Sequence, residues 1–319
     1  MRWAVGALVL CLVAACSATS DDETAATAAT ATPSGSATAT PDPPSPTHVD
    51  TPAATEAPPP SPEPSRNPLA DLVEGIEITD EPLLGADISW PQCPPGLGIA
   101  QKRSSGQPMP VPEARYVIIG LTNGPGFYPN PCLRDQVSWA RQNGLMAAGY
   151  AVASFPEPRF VEQYGQDGPF DGGSEQGALA NAGYQQALFN VRTMREAGLP
   201  SPAVWIDVEP VPDFAWSGDL SANAAVVTGI ARGYTDAGFR IGVYSTPALW
   251  AGVVGDLELG VPEWRAAGQT SSDEALARCG ADWVIQGGDA IIGQWVERDR
   301  DMNLTCPGVT DLSVWFHQF

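Results

Sequence analysis

The alternation of strand-like and helix-like segments is the feature that most narrows the folds open to this chain. Between residues 85 and 297, eight short segments rich in β-branched and aromatic residues recur, and helical patterns lie between several of them. Strands joined by helices predict parallel pairing, because each crossover returns the chain to the end of the sheet where the previous strand began. Eight such strands in a domain of this size predict an α/β fold of the (β/α)8 or TIM type, a closed barrel.

The boundaries of these segments follow from local signals. The predicted strands are 85–90, 115–121, 145–153, 203–210, 240–245, 262–267, 282–286 and 291–297, and the predicted helices are 133–142, 174–197 and 221–237. Ser174 is a predicted N-cap, while Gly198 and Gly238 follow helices as residues that end them. Little helix separates the last two strands, so this part of the barrel is expected to be helix-poor, irregular and hairpin-like.

The fourth strand carries two acids at its end. Side chains alternate between the two faces of a strand, so Trp205, Asp207 and Glu209 share one face and three aliphatic residues share the other. The Cα atoms of the two acids are expected roughly 6–7 Å apart. Glycoside cleavage uses two such carboxyl groups, one to protonate the leaving oxygen and one to stabilise or attack the developing cation. A solvated strand end would carry the same pair, so the pair alone does not decide.

The N-terminus predicts export. Arg2 precedes an apolar run over 3–15, which is too short to span a membrane and fits a secretory signal. The sequence Leu-Val-Ala-Ala-Cys at 12–16 resembles the bacterial lipoprotein cleavage box, in which the cysteine becomes the lipidated first residue. We therefore predict a signal peptide over 1–16 and a lipid on Cys16; an ordinary cleavable signal is the alternative. The lipid would anchor the chain to the outer face of the cytoplasmic membrane, with no other membrane contact expected.

Composition divides the rest of the chain in two. Residues 17–68 consist mostly of Ala, Thr, Ser and Pro, which cannot bury a core and predict an extended, disordered linker. Residues 69–319 form the predicted barrel domain, expected to be a monomer. The net charge of −21 argues against a nucleic-acid partner and fits a neutral glycan or a cationic partner.

Cysteine usage predicts disulfides. Once Cys11 and Cys16 are assigned to the signal and the lipid site, four cysteines remain in the exported domain. Four cysteines can pair in three ways. The favoured pairing is Cys93–Cys132 with Cys279–Cys306, because the cysteines of each pair follow neighbouring strands. A zinc site of four thiolates is the alternative, but no short Cys-x-x-Cys spacing supports it.

Histidine usage limits the chemistry. The chain has only His48, in the linker, and His317, near the C-terminus. This excludes most histidine metal sites and argues against a nucleophile activated by histidine. The sequence therefore predicts no metal and no cofactor, and assigns any catalysis to carboxylates.

The order of the motifs is similar to that of the family 25 glycoside hydrolases, lysozymes that cut the bond between N-acetylmuramic acid and N-acetylglucosamine in peptidoglycan. The matching pieces are Gly85-Ala86-Asp87-Ile88-Ser89 with Gln92, Leu121-Thr122-Asn123-Gly124, Ala148-Gly149-Tyr150, Ile206-Asp207-Val208-Glu209, Val243-Tyr244-Ser245-Thr246 and Gln294-Trp295. The resemblance spans residues 84 to 313. It implies a barrel that hydrolyses peptidoglycan or a related cell-envelope glycan.

The resemblance also implies roles for single residues. Glu209 matches the family's general acid, and Asp207 matches the partner carboxylate that positions the substrate acetamido group, which makes the reaction substrate-assisted. Asp87 matches the acid of the first strand. For the last acid, Asp301 lies in the closer motif, but Asp311 has the better distance from Gln294-Trp295 and is favoured. The predicted substrate contacts are Trp90, Gln92, Tyr150, Trp216, Tyr244 and Gln294.

Two departures from the family pattern support a different function. Ala151 and Val152 replace the His and Phe of the family's Tyr-His-Phe, and Gly120-Leu121 stands where a basic residue is common. Retained acids with an altered rim indicate either a different glycan substrate or lost activity, and lost activity gives the alternative function, a catalytically silent barrel that binds wall glycan. A lipoprotein scaffold or solute receptor is a third hypothesis, disfavoured because such receptors have two lobes.

Overall fold

The computed structural model describes residues 81–319. The predicted signal peptide, Cys16, the linker over 17–68 and residues 69–80 lie outside the described residues. Each helix within 81–319 is too short or too polar to cross a bilayer.

Strands and helices alternate along most of the domain. The strands are β1 (Leu84–Ile88), β2 (Tyr116–Gly120), β3 (Met146–Val152), β4 (Ala203–Asp207), β5 (Arg240–Ser245), β6 (Glu263–Ala266), β7 (Ala290–Glu297), β8 (Arg300–Thr305) and β9 (His317–Gln318). The helices are α1 (Leu133–Gln142), α2 (Pro158–Tyr164), α3 (Glu175–Ala197), α4 (Leu220–Asp236), α5 (Pro247–Val254) and α6 (Ser272–Ala277). Short 3-10 turns cover Trp90–Gln92, Ala281–Trp283 and Leu312–Val314.

The first eight strands close into a barrel. Neighbours from β1 to β7 pair in parallel, and β8 pairs antiparallel with both β7 and β1 to complete the ring. A two-residue turn at Arg298 and Asp299, both at positive φ, joins β7 to β8. The prediction of an irregular (β/α)8 barrel with helix-poor last strands is confirmed.

The predicted strand 282–286 is wrong, and the eighth strand is β8 instead. The reason lies in the buried carboxylate of Glu263, which accepts hydrogen bonds from the backbone N–H groups of Ile285, Gln286 and Gly288. The segment therefore pairs with a side chain rather than with the sheet. Arg265 donates to the same carboxylate at 2.7 Å, so the buried charge is paired.

Apolar side chains form separate layers inside and outside the ring. On β4, Val204 and Ile206 pack in the layer between strands and helices, while Trp205 lies in the barrel interior. The predicted alternation of faces along this strand is confirmed. Helix α3 begins at its predicted cap, since the Ser174 side chain accepts from Gly177 N, and it ends at Gly198 in the left-handed region.

Both predicted disulfides are present. Cys93–Cys132 joins the loop after β1 to the start of α1, with Cα atoms 5.7 Å apart. Cys279–Cys306 joins the loop after α6 to the end of β8 at the same Cα separation. The bonds span 39 and 27 residues, so each removes loop-closure entropy from the unfolded chain.

The last residues of the chain close the N-terminal end of the barrel. Trp315 stacks on Trp205 with ring centroids 5.0 Å apart, and Phe316 lies 4.6 Å from Tyr116. Strand β9 then pairs with the start of β3. This end is therefore filled by large apolar side chains, which leaves the opposite end as the place for a site.

Candidate active site

Four carboxylates from different parts of the chain line one cavity of about 230 Å³ at the C-terminal mouth of the barrel. Asp87 lies near the end of β1, Asp207 ends β4, and Glu209 follows two residues later. Asp301 lies near the start of β8, which is at the same mouth because this strand runs antiparallel to its neighbours. Asp87 and Asp301 are direct register partners, so their Cα atoms are roughly 5 Å apart.

The prediction that Asp311 completes this cluster is corrected. Strand β8 carries the chain away from the mouth, so the residues after it lie towards the closed end of the barrel. The exposed Asp311 there accepts hydrogen bonds from Ser313 N at 3.2 Å and Ser313 Oγ at 2.6 Å. It caps the 3-10 turn Leu312–Val314. Asp301, the alternative with the closer motif, occupies the cavity instead.

A hydrogen-bond network fixes Asp87. Its Oδ1 accepts from Gln294 Nε2 at 2.9 Å and from Asn303 Nδ2 at 2.8 Å. Tyr244 Oη donates to Gln294 Oε1 at 2.7 Å, and Trp264 Nε1 donates to Asn303 Oδ1 at 2.7 Å. Residues of β5, β6, β7 and β8 therefore hold one carboxylate of β1 in place.

The acids differ in their access to the cavity. Asp87 and Asp207 are only 6% and 4% exposed, while Glu209 and Asp301 are half-buried. Among residues 81–319, no group donates a hydrogen bond to Asp207 Oδ1. The first two acids therefore form the floor of the cavity, and the last two lie at its rim, where a ligand can contact them.

Burial raises the pKa of all four carboxyl groups, because water stabilises the ionised form. The pKa of Asp87 is well above its usual value through burial and the charge of Asp301, although the hydrogen bonds from Gln294 and Asn303 oppose the shift. Burial, then the charge of Glu209, does the same to the pKa of Asp207.

The rim acids follow the same rule. Burial and then Asp301 raise the pKa of Glu209, while Lys102 lowers it. Burial raises the pKa of Asp301 to about 6. Since each ionised carboxylate makes ionisation of the next more costly, the cluster retains protons at pH values where isolated carboxylates are ionised.

Four predicted substrate contacts line the cavity: Trp90, Tyr150, Tyr244 and Gln294. Gly120 makes room for the Tyr150 ring, since a Cβ at residue 120 would lie 3.0 Å from that ring and 2.4 Å from Ser89 Cβ. Burial raises the pKa of the Tyr150 and Tyr244 hydroxyls well above 10, so both remain protonated hydrogen-bond donors. The aromatic part of the cavity wall is therefore uncharged.

Two predicted substrate contacts lie elsewhere. Gln92 is buried; its Oε1 accepts from Ser89 N at 2.8 Å and closes the turn after β1. Trp216 packs against the layer between strands and helices, and its Nε1 donates to the backbone oxygen of Glu209 at 2.9 Å. Neither side chain lines this cavity: Gln92 shapes a turn, while Trp216 holds the segment that carries Glu209 and lines a neighbouring surface pocket, so a substrate contact at either residue stays a prediction.

The departures from the family motifs are divided between the two faces of the sheet. Ala151 is 3% exposed and packs in the layer between strands and helices, as does Leu121. Val152 lines the cavity opposite Asp207 in register, and Gly120 lies on the same interior face beside Tyr150. The change at residue 151 therefore leaves the cavity lining unaltered.

Several residues of the site were not predicted from the sequence. Asn303 lies two positions after Asp301 on β8 and so shares its face, a signal that was available once this strand was recognised. Trp264 could have been identified in the same way, because side chains also alternate between the two faces of β6. Lys102 lies in a loop without periodicity, so only the tertiary structure places it at the cavity. Within residues 81–319, no three His, Cys, Asp or Glu side chains are grouped to hold a metal ion.

Comparison with known proteins gives one sequence match. No protein-family model matches the chain. A stretch of 65 residues, 20% of the chain, is 38% identical to the probable GH family 25 lysozyme 4 of Dictyostelium discoideum. The match covers 29% of that protein, so this chain spans under a third of the relative's length. The resemblance predicted from the motifs is confirmed over this stretch.

Several solved structures align with much of the chain. A family GH25 lysozyme from Aspergillus fumigatus aligns with a TM-score of 0.45 at 19% identity, over 73% of this chain and 97% of that one. The bacterial lysozyme from Streptomyces coelicolor aligns with a TM-score of 0.47 at 14% identity, over 73% and 96%. A family 25 glycosyl hydrolase from Bacillus anthracis aligns with a TM-score of 0.46 at 13% identity, over 74% and 94%.

Proposed function

We propose that the domain is a glycoside hydrolase that cleaves peptidoglycan or a related cell-envelope glycan, with Glu209 as the general acid. One observation carries the proposal: four carboxylates with raised pKa values meet in a single cavity with aromatic walls. Glycoside cleavage needs one carboxyl group that is protonated and another that is ionised beside the same bond. The sequence match to a GH family 25 lysozyme supports this reaction class.

Glu209 fits the acid because it combines access with a held proton. Its side chain is half-buried at the rim, so it can reach a leaving oxygen. Burial and the neighbouring Asp301 raise its pKa, which keeps the carboxyl group protonated nearer to neutral pH than an exposed glutamate. It would donate this proton to the glycosidic oxygen as the bond from that oxygen to the anomeric carbon breaks.

Asp207 fits the partner carboxylate. It precedes Glu209 by two residues on the same strand face and lies deeper in the cavity. Its buried Oδ1 accepts no hydrogen bond from residues 81–319, so the substrate acetamido N–H would donate one, stabilise the ionised form and orient the acetamido group, whose oxygen attacks the anomeric carbon in place of an enzyme nucleophile. Water would then add to the anomeric carbon as the bond from that carbon to the acetamido oxygen breaks, and it would give a proton to the ionised Glu209, which restores the starting state. Asp87 and Asp301 would set the shared proton content of the cluster.

The location of the domain is proposed from the N-terminal sequence. A lipid on Cys16 would hold the chain at the outer face of the cytoplasmic membrane, and the linker over 17–68 would let the domain reach the wall. The domain would act there as a monomer. Globomycin-sensitive processing and labelling with a radioactive fatty acid would test the anchor, and a Cys16→Ser variant that still took up label would refute it.

A zymogram tests the proposed reaction. The wild type, Glu209→Gln and the matched control Glu162→Gln, an exposed residue of α2, are run in gels that contain peptidoglycan. Clearing by the wild type and by the control, with loss of clearing in Glu209→Gln of on the order of 100-fold or more, is the expected result. Equal clearing by Glu209→Gln would refute the assignment of the acid.

A glycan pull-down separates the alternative. If the wild type binds insoluble peptidoglycan without clearing it, the domain is the silent glycan-binding barrel rather than the hydrolase. If the wild type neither binds nor clears peptidoglycan, both the hydrolase and the glycan-binding barrel are refuted. Soluble reducing ends measured over time distinguish slow cleavage from binding alone.

A further inference from the structure

The chain contains a single lysine, and that lysine lines the cavity. Lys102 is the only lysine among 319 residues, in a chain with 37 Asp and Glu. It stands at the cavity together with Asp87, Asp207, Glu209 and Asp301. The adjacent Arg103 is exposed and donates to Gly96 O at 3.0 Å instead. A lone ammonium group beside four acids calls for a chemical reason.

The backbone around Lys102 is fixed. Asn123, only 1% exposed, donates from Nδ2 to Lys102 O at 3.0 Å and accepts from Ile99 N at 2.6 Å. The disulfide Cys93–Cys132 fixes the start of the same loop to the start of α1. A loop tied at both places holds its lysine at a defined position on the rim.

The stem of the side chain also has a defined place. It runs over Gly124, another residue of the cavity lining, which adopts φ +90°. A Cβ at residue 124 would lie 3.1 Å from Lys102 Cγ, closer than most real contacts of a Cβ atom. Glycine at this position therefore leaves the room that the lysine stem occupies.

The ammonium group is available to a ligand. Within residues 81–319, no Asp or Glu forms an ion pair with Lys102 inside 4.0 Å. The side chain is half-buried rather than turned into solvent. Its charge lowers the pKa of Glu209, which places it close enough to act on the same cavity.

We infer that Lys102 binds a carboxylate carried by the glycan substrate and so selects chains that are anionic next to the scissile bond. Four acids in the cavity repel anions, and an uncharged glycan would not need a cation there. One fixed, unpaired ammonium group reverses that repulsion at a single point on the rim. The inference rests on the proposed function and specifies which glycan the site prefers.

Peptidoglycan with and without its carboxylates tests the inference. The full chain is assayed on native soluble peptidoglycan and on the same material amidated with carbodiimide and ammonia. We expect the kcat/KM of the wild type to be roughly tenfold higher on the native substrate, through a lower KM. A hydrogen bond to a charged group contributes a binding free energy of about this size. Lys102→Gln should lose the preference, Lys102→Arg should restore most of it, and Arg103→Gln should retain it.

A binding assay separates this inference from the proposed function. Affinities for both substrates are measured in a Glu209→Gln background, where hydrolysis is not needed. A carboxylate preference that depends on Lys102 supports the inference even if the wild type does not cleave, which would refute hydrolysis alone. Equal use of both substrates by the wild type, or an unchanged preference in Lys102→Gln, overturns the inference while cleavage still supports the enzyme. Absence of both binding and cleavage overturns both.

The single lysine allows a second test without a mutation. A reagent that acylates amines modifies one side chain, Lys102, besides any free N-terminal amine, and a peptide map of the labelled chain measures the two separately. Native peptidoglycan fragments should slow this modification several-fold, and amidated fragments should not. Equal protection by both, or protection by neither, would contradict a carboxylate contact at this side chain.

Discussion

The two ends of the barrel are built on the same strands but contain opposite chemistry. At the mouth, Asp207 ends β4 and Glu209 follows two residues later, and Asp87 and Asp301 face them from β1 and β8. Two residues before Asp207, Trp205 already belongs to the apolar filling of the other end. The change from tryptophan to carboxylate takes a single step of the strand's two-residue repeat.

The comparison shows what each end contributes. The closed end buries aromatic rings, which stabilise the fold through apolar area removed from water. The mouth keeps carboxyl groups whose pKa values are raised, and a raised acid pKa means that ionisation at neutral pH destabilises the folded state. The site is therefore held at an energetic cost that the packing at the other end offsets. Four predictions test this division.

The largest effect is expected at the closed end. Trp315→Ala removes a 6% exposed ring that stacks on Trp205 and should lower the free energy of unfolding by about 3–5 kcal/mol. Denaturation in urea measures the change, and hydrolysis per folded molecule should remain unchanged. A variant as stable as the wild type would show that the aromatic filling does not support the fold.

At the mouth, Asp301→Asn should lower kcat/KM for peptidoglycan by on the order of 100-fold, because it removes a charge that helps Glu209 keep its proton. Asp311→Asn is the matched control, because Asp311 lies away from the cavity. Its kcat/KM should stay within about twofold of the wild-type value. Initial rates on soluble peptidoglycan measure both. The reverse ranking would return Asp311 to the site.

Asp301→Asn should also be more stable than the wild type at neutral pH. The folded pKa of Asp301 is about 6 against an ordinary value of 3.8, so its favourable contribution is complete below about pH 4 and is lost as the pH rises through about 6. Asp301→Asn should therefore gain on the order of 2 kcal/mol or less at pH 7.5, since partial exposure weakens the effect, and little at pH 4. Urea unfolding at both pH values measures the gap. A gap that does not change with pH would contradict the raised pKa.

The smallest effect is expected at Asp311. Asp311→Ala loses the cap of a short exposed turn and should reduce the free energy of unfolding by about 0.5–1 kcal/mol. Asp311→Ser, which can still accept from a backbone N–H, should recover part of it. Thermal unfolding measures both variants, and a loss of several kcal/mol would place Asp311 in a larger network.

Local signals determined much of the fold. Helix α1 covers 133–142 as predicted, and α3 has its predicted cap at Ser174 and stop at Gly198. These signals are local because a helix satisfies its own hydrogen bonds within a few residues. The disulfide pairs could also be predicted, since each cysteine follows an element whose neighbour was known.

The eighth strand could not be predicted in the same way. Segment 282–286 has a strand-like composition, but the buried carboxylate of Glu263, some twenty residues earlier, holds its backbone. The real strand, β8, contains Arg300 and Asp301, which do not match a strand pattern. Its identity depends on partners on both sides, one of them at the opposite end of the sequence.

By itself, the sequence determined the alternation of elements, the face that carries Asp207 and Glu209, and the reliance on carboxylates in a domain whose one histidine is His317. Only the tertiary structure decided that Asp301 rather than Asp311 joins them, that Trp216 holds the backbone of Glu209, and that Lys102 reaches the cavity. The physical reason is that a side chain's face follows from the two-residue repeat of its own strand. The direction of the strand that closes a ring, and the end at which its residues appear, follow from neighbours that are distant in sequence.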